Sequence, residues 1–169
     1  RLIMAAPLNE QIAWYMLFSY QNDREIAQSY FIPSQQGLQL VGGGWKRYRA
    51  QWINLELTQG LDKSAWDWTM PYWTIKLDLE FRRRMGTGPQ LEHWYRIATM
   101  LYRRMFEEPL LVTSEGRIFR QVVPGIMKSG CVNTISTNSH GQVMIHCAVC
   151  YDRGVSIKPI CRACGDDTL

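Results

Sequence analysis

The chain has 169 residues, 46% of them hydrophobic and 20% charged, with a formal net charge of +4, seven Trp and eight Tyr. That composition fits a globular chain with a real core, excludes a disordered one, and allows an anionic partner without demanding it. No apolar run reaches the ~18 residues of a membrane span, no basic-then-apolar signal segment is readable, and the five cysteines are an odd number that argues for free thiols in a reducing compartment.

Taken in chain order, residues 7–31 have a helical pattern. Ile12, Tyr15, Met16 and Ser19 share one face, and a second short helix is expected from Asp23. Residues 32–45 are expected to be a loop, because Pro33, Gly37 and Gly42-Gly43-Gly44 break regular structure. The glycine run lacks the spacing of a dinucleotide or phosphate loop. "INLELTQGLD" (53–62) predicts an apolar strand that ends at an acid. Pro71 opens a helix running to about Met85, with Trp73, Leu77 and Phe81 as its apolar stripe and Gly86 and Gly88 ending it. Pro89 opens another, with Leu91, Trp94, Ala98, Leu101 and Met105 on one face. Residues 109–125 predict a hairpin around Ser114-Glu115-Gly116. A helix is expected from Val132 to about Asp152, then a short strand, "VSIKPIC" (155–161), leading into Gly165-Asp166-Asp167. The fold class is α+β. Because the chain starts at Arg1 and stops directly after Asp-Asp-Thr, it is expected to be a fragment of a longer polypeptide.

Two chemistries compete at the C-terminal end. Cys147, Cys150, Cys161 and Cys164 form Cys-x2-Cys, ten residues, Cys-x2-Cys. Four thiolates can hold zinc tetrahedrally, so a zinc-ribbon binding module with four cysteine ligands is one reading. Against it, the first pair sits in a helical pattern instead of a tight turn, and buried thiols are ordinary core residues. The other reading uses acids. Nucleotidyl transfer employs two Mg²⁺ ions ~3.5–4 Å apart, and Mg²⁺ takes hard oxygen ligands from few carboxylates. Asp62 ends an expected strand, and Asp166 and Asp167 occupy an expected turn.

Three segments carry a resemblance. "LDKSAWDWT" (61–69) fits Asp-x4-Asp, "PGIMKSGCVNTISTNS" (124–139) fits Ser-Gly-x3-Thr-x3-Asn, and "CGDDT" (164–168) supplies Gly-Asp-Asp. In order and separation they resemble palm motifs A, B and C of viral RNA-dependent RNA polymerases, most similar to those of sobemo-like positive-strand viruses, over essentially the whole chain. The resemblance implies a polymerase palm, with antiparallel strands carrying the acids and packed on helices. Residues 55–169 would be palm, and 1–54 part of the fingers and their connection. It implies template-directed RNA synthesis in the host cytoplasm from nucleoside triphosphates, with RNA template, nascent RNA and other viral replication proteins as partners. No membrane contact is evident in these residues.

The same resemblance assigns Asp62, Asp166 and Asp167 to two Mg²⁺ ions, with Mn²⁺ a possible substitute. Asp67 and Asn138 would meet the ribose hydroxyls, with Thr134 and Ser129 in that nucleotide-binding network. Lys128, Ser129 and Gly130 would border the template, and Arg1 would contact the triphosphate. The thumb, primer grip and general-acid lysine of the family would lie beyond Leu169, so the 169 residues alone are expected to be inactive. A reverse-transcriptase palm is a further alternative; it would carry a bulky steric gate in place of Asp67 and Asn138. Singly, each of these residues has an ordinary structural role as a cap, a turn or a polar helix position. The arginines of 81–86 and 102–106 are expected on solvated faces, and Trp66, Trp68, Trp73 and Trp94 in the core. His93, His140 and His146 show no metal-ligand spacing.

Overall fold

The computed structural model describes residues 3–169; Arg1, assigned above to the triphosphate, lies outside the described residues. It is rich in helix, with two small sheets. The chain forms two compact units. The first combines the segment up to Tyr20 with Ala65–Thr134, and the second combines Gln21–Ser64 with Ile135–Leu169. Helix α1 (Leu8–Gln28) contributes to both.

In the first unit, aromatic rings form the core. Trp14 and Phe18 of α1, four residues apart, meet Tyr102 and Phe106, with Trp14 and Tyr102 stacked at 5.2 Å between centroids. Tyr102 ends α5 (Leu91–Tyr102), and Phe106 lies in a π-helical turn, Arg103–Glu107, that continues it. The expected α5 face holds, with Ala98, Leu101 and Met105 all buried. Short helix α3 (Trp66–Thr69) precedes α4 (Tyr72–Met85). The expected hairpin forms from β1 (Leu110–Val112) and β2 (Ile118–Arg120), paired Leu110↔Arg120 and Val112↔Ile118.

Two expected faces are turned the other way. On α1, Ile12, Tyr15 and Met16 are exposed, and the larger rings of Trp14 and Phe18 take the core. On α4, Trp73 and Leu77 are exposed, whereas Thr74, Ile75, Asp78, Leu79 and Arg82 are buried. Asp78 and Arg82 can go inside because each neutralises the other. Arg82 Nε donates to Asp78 Oδ2 at 3.1 Å, and Tyr102 Oη donates to the same oxygen at 2.7 Å. Arg82 also lies over the Phe18 ring at 5.5 Å. The expectation that all arginines of 81–86 face solvent therefore fails at Arg82, since a charge paired by hydrogen bonds can be buried. Trp68 is likewise exposed.

In the second unit, 32–45 is not loop throughout. A 3₁₀ turn at Val41–Gly43 leads into α2 (Gly44–Asn54), with Gly42 and Gly43 at φ of +61° and +88°. Helix α2 thus takes the start of the strand expected at 53–62; only Leu61 of that run joins a sheet. Helix α1 also continues through Asp23 without a break. Helix α6 (Thr134–Arg153) is the longest element of this half of the chain. The strand expected at 155–161 is absent: Pro159 offers no N–H to a ladder, and the strand begins later, at β3 (Ala163–Cys164). β3 pairs with β4 (Asp167–Thr168) through Ala163↔Thr168 and Cys164↔Asp167. Single bridges flank this hairpin on both edges, Ser34 beside Ala163 and Leu61 beside Thr168.

Candidate functional site

The second unit brings two acidic segments together. Leu61 N donates to Thr168 O at 2.8 Å, and Thr168 N donates to Leu61 O at 3.1 Å. That reciprocal pair is antiparallel, so the next residue, Asp62, stands beside Asp167 in register. Gly165 and Asp166 form the two-residue turn between the paired Cys164 and Asp167. Gly165 has φ +68°, the sign that the first central residue of a type II′ hairpin requires.

Helix α6 holds the turn from behind. Gly165 N donates to Ser139 Oγ at 2.9 Å, while that hydroxyl donates to Ile135 O at 2.8 Å. Gln142, one turn along, reaches Asp166 O at 3.4 Å. Ser139 and Gln142 are both buried. Sequence reasoning missed these two residues; the available signal was their three-residue spacing on a helical face directly after Asn138. Asp62 and Asp167 are exposed, and Asp166 is half-buried.

Among the described residues, no three His, Cys, Asp or Glu side chains stand close enough together to hold a metal ion. The four sulfurs of the zinc reading therefore do not converge. Cys147 and Cys150 lie on α6, and Cys161 precedes β3. Burial pushes the Cys161 thiol up to about 11, and the neighbouring Cys147 adds to the rise. Burial first, then the Asp167 and Asp166 charges, also raise Cys164. Zinc binds thiolates, which these environments disfavour. The three carboxylates likewise belong to residues at the turn end of the small sheet and do not close on a common point. For Mg²⁺ this is compatible chemistry, because its sites are completed by substrate phosphates and waters around one or two carboxylates.

The remaining candidates divide between the units. In the first, Ser129 Oγ donates to Asp67 Oδ2 at 2.7 Å, and Met127 N donates to Asp67 O at 2.7 Å. Gly130 has φ +134°, and a Cβ there would stand 2.5 Å from Met4 O, so glycine is required beside the Ile3–Ser129 bridge. The Thr134 hydroxyl lies 2.9 Å from Lys128 O and 2.8 Å from Cys131 O, closing the loop ahead of α6. Lys128 is buried at 2% exposure. Its ammonium donates to Gln121 Oε1, to Gly125 O at 2.9 Å and to Ile126 O at 2.8 Å. The expected template contact by Lys128 is corrected accordingly: the charge is directed into its own loop.

Asn138, in the second unit, is 3% exposed, and its Oδ1 has no hydrogen-bond partner among the described residues. Two positions further on, His140 Nε2 meets Glu25 Oε2 at 2.9 Å, a structural pairing of α6 with the end of α1.

Comparison with known proteins finds relatives among viral polyproteins. All of it aligns over 187 residues, at 32% identity, with Protein P1-P2 of Potato leafroll virus, of which it covers 16%. All of it aligns over 174 residues, again at 32% identity, with Replicase polyprotein P2AB of Southern cowpea mosaic virus, of which it covers 17%. An 85% share aligns at 33% identity with Protein P1-P2 of Turnip yellows virus. Its relatives are replicase-region proteins of sobemo- and luteoviruses. The chain spans about a sixth of the length of these relatives. No protein-family model matches it.

Proposed function

We propose that the chain is the palm and part of the fingers of a viral RNA-dependent RNA polymerase, copying an RNA template from nucleoside triphosphates. The observation that carries the reading is the Leu61–Thr168 pairing, which sets Asp62 beside the Gly165-Asp166-Asp167 hairpin. Distant acids on neighbouring strand ends are what two-metal nucleotidyl transfer uses. The replicase names of two relatives support the same reading.

Asp62 and Asp166 are the residues that would hold Mg²⁺, with Asp167 assisting. When bound, the two ions supply charge neutralisation and activation of the attacking 3′ hydroxyl. The protein's own task is positional. Ser139 and Gln142 hold the backbone of the hairpin turn, so the main chain that carries Asp166 is in place before the reaction and less reorganisation remains. Asn138 offers a buried, unpartnered amide oxygen, the kind of acceptor that a ribose 2′-OH satisfies and a deoxyribose leaves unpaired. Asp67 carries its ribose assignment by motif position, and its carboxylate already accepts the Ser129 hydroxyl.

Fe²⁺ in place of Mg²⁺, with ascorbate and peroxide, tests the reading on the chain itself. Cleavage of the backbone around residues 62 and 166 is expected, and its loss in Asp166→Ala. Cleavage elsewhere, or unchanged cleavage in that variant, would refute the proposed metal positions. In a longer replicase polypeptide containing these residues, Asp166→Ala is expected to abolish nucleotide addition while leaving the circular dichroism spectrum unaltered.

A further inference from the structure

Several arginines among the described residues are neutralised by a carboxylate. Arg83 pairs with Glu92 at 2.7 Å, Arg84 with Glu80 at 2.9 Å, Arg103 with Glu107 at 3.2 Å and Arg104 with Glu10 at 2.6 Å. Exposed Arg24, Arg96 and Arg120 have no carboxylate partner among the described residues either, but only helix α2 gathers several such cations within four positions. Its exposed Lys46, Arg47 and Arg49 have no carboxylate partner among the described residues, and no acid occurs in sequence between Glu25 and Glu56. Glu25 is itself occupied by His140.

The aromatic residues of the same patch are arranged around these charges. The Arg47 guanidinium lies over the Tyr30 ring, 3.8 Å from its centroid. Stacking there holds the planar fork in one orientation, so less freedom is lost when its N–H groups bond an anion. Trp45 is 50% exposed, touches no other aromatic ring among the described residues, and has Lys46 Nζ 5.8 Å from its centroid. The other face of α2 is anchored: Tyr48 is buried against Ser29 at 3.1 Å, and Gln51 Nε2 donates to Tyr30 O at 2.7 Å. A helix anchored along one side thus spreads three unneutralised cations and an open indole across its exposed half, with Trp45 and Arg49 toward one flank, Arg47 toward the other and Lys46 between them.

We propose that this face of α2 binds single-stranded RNA, with Lys46, Arg47 and Arg49 on phosphates and a base stacked on Trp45. Cationic grooves interleaved with aromatic platforms bind single strands without reading sequence, each stacked base and each phosphate adding affinity. The proposal rests on the RNA-copying reading for the identity of the polymer. It assigns α2 a contact separate from the Asp62–Asp166 site.

The test is fluorescence anisotropy of the full chain with a labelled single-stranded RNA of about twelve nucleotides over a series of salt concentrations. Replacing Lys46, Arg47 and Arg49 together by Gln is expected to weaken binding at least tenfold. It should also lower the log–log salt slope by about 2, since each phosphate contact on a single strand contributes ~0.7. Trp45→Ala is expected to weaken binding several-fold with the slope unchanged. The control replaces Arg84, Arg117 (3.6 Å from Glu115) and Arg153 (4.0 Å from Asp152) by Gln, removing equal charge; it should bind within twofold of the parent.

Equal losses in the two triple variants, or no binding by the parent chain, would overturn the proposal, as would unaltered binding by a folded α2 triple variant. Asp166→Ala separates the two readings. If it binds RNA normally while the longer replicase carrying it still adds nucleotides, the polymerase reading fails and the α2 contact stands. If it binds normally and addition is lost, both stand.

Discussion

The backbone N–H of Gly165 donates to the hydroxyl oxygen of Ser139 at 2.9 Å, so the turn carrying Asp166 is fastened to the helix that carries Asn138. Both partners are buried. Ser139→Ala removes the acceptor and leaves a buried N–H unsatisfied, which costs about 1–3 kcal/mol. Urea denaturation should register that loss. Nucleotide addition by a longer replicase bearing Ser139→Ala should fall further than its remaining folded fraction explains, because the turn also loses its orientation. Ser139→Thr keeps an acceptor and should restore part of both. Parent-like activity in a stable Ser139→Ala protein would remove Ser139 from any positioning role.

The parts of the fold that were legible in the sequence are those set by local rules. Proline and glycine punctuation bracketed α4 and α5, and the β-rich runs around Ser114-Glu115-Gly116 marked the β1–β2 hairpin. Hydrophobic periodicity failed where tertiary pairing overrode it. On α4, Trp73 and Leu77 looked like the inner stripe, yet the paired Asp78 and Arg82 are inside, because a carboxylate bonded by both Arg82 and Tyr102 can leave water. The start of the apparent strand at 53–62 belongs to a helix begun by Gly44, since two left-handed glycines redirect the chain just before it. The site shows the same division. The motif spacing named Asp62, Asp166 and Asp167, but nothing local could reveal that Lys128 spends its charge on Gly125 and Ile126, or that Gln142 reaches Asp166.

The buried Asp78–Arg82 pair has a double consequence. Arg82→Met strands a carboxylate in the core, and Asp78→Leu strands a guanidinium; breaking one side of a buried pair costs about 3–5 kcal/mol. Replacing both with Asp78→Leu and Arg82→Met removes the charges together and should cost much less than the sum of the singles. Guanidinium melts of the four proteins measure the coupling. Additive losses would show that the pair does not act as a unit.

Asn138 distinguishes a ligand group from a packing group. Its Oδ1 is already buried without a partner among the described residues, so Asn138→Leu removes an unsatisfied atom and should change stability by less than about 1 kcal/mol. If Asn138 serves the ribose, the same substitution should erode the preference for ribonucleotides over deoxyribonucleotides by about 1–3 kcal/mol, roughly 5- to 150-fold. The ratio of kcat/KM for the two substrates in the longer replicase is the measurement. An unchanged ratio removes Asn138 from sugar recognition.

Lys128 predicts a pH dependence with a definite sign. Three oxygen acceptors favour its ammonium, but burial disfavours the charge more and brings the pKa down from 10.5 to about 8. Below about pH 8 both folded and unfolded chains hold the proton, and the folded state carries the cost of a buried charge. Between about 8 and 10.5 the folded chain has released the proton and the unfolded chain still binds it, so stability rises with pH. At 1.36 kcal/mol per unit, the full gain is about 3 kcal/mol. Lys128→Met has no proton to release at this position. The difference in unfolding free energy between the parent and Lys128→Met should therefore shift in the parent's favour as pH rises from 8 to 10.5. Both proteins should carry Cys131→Ala, because the Cys131 thiol, which burial raises to about 12, feels the Lys128 charge; the difference then cancels the groups that do not interact with Lys128. A flat or falling difference would mean that the ammonium is held as comfortably in the loop as in water.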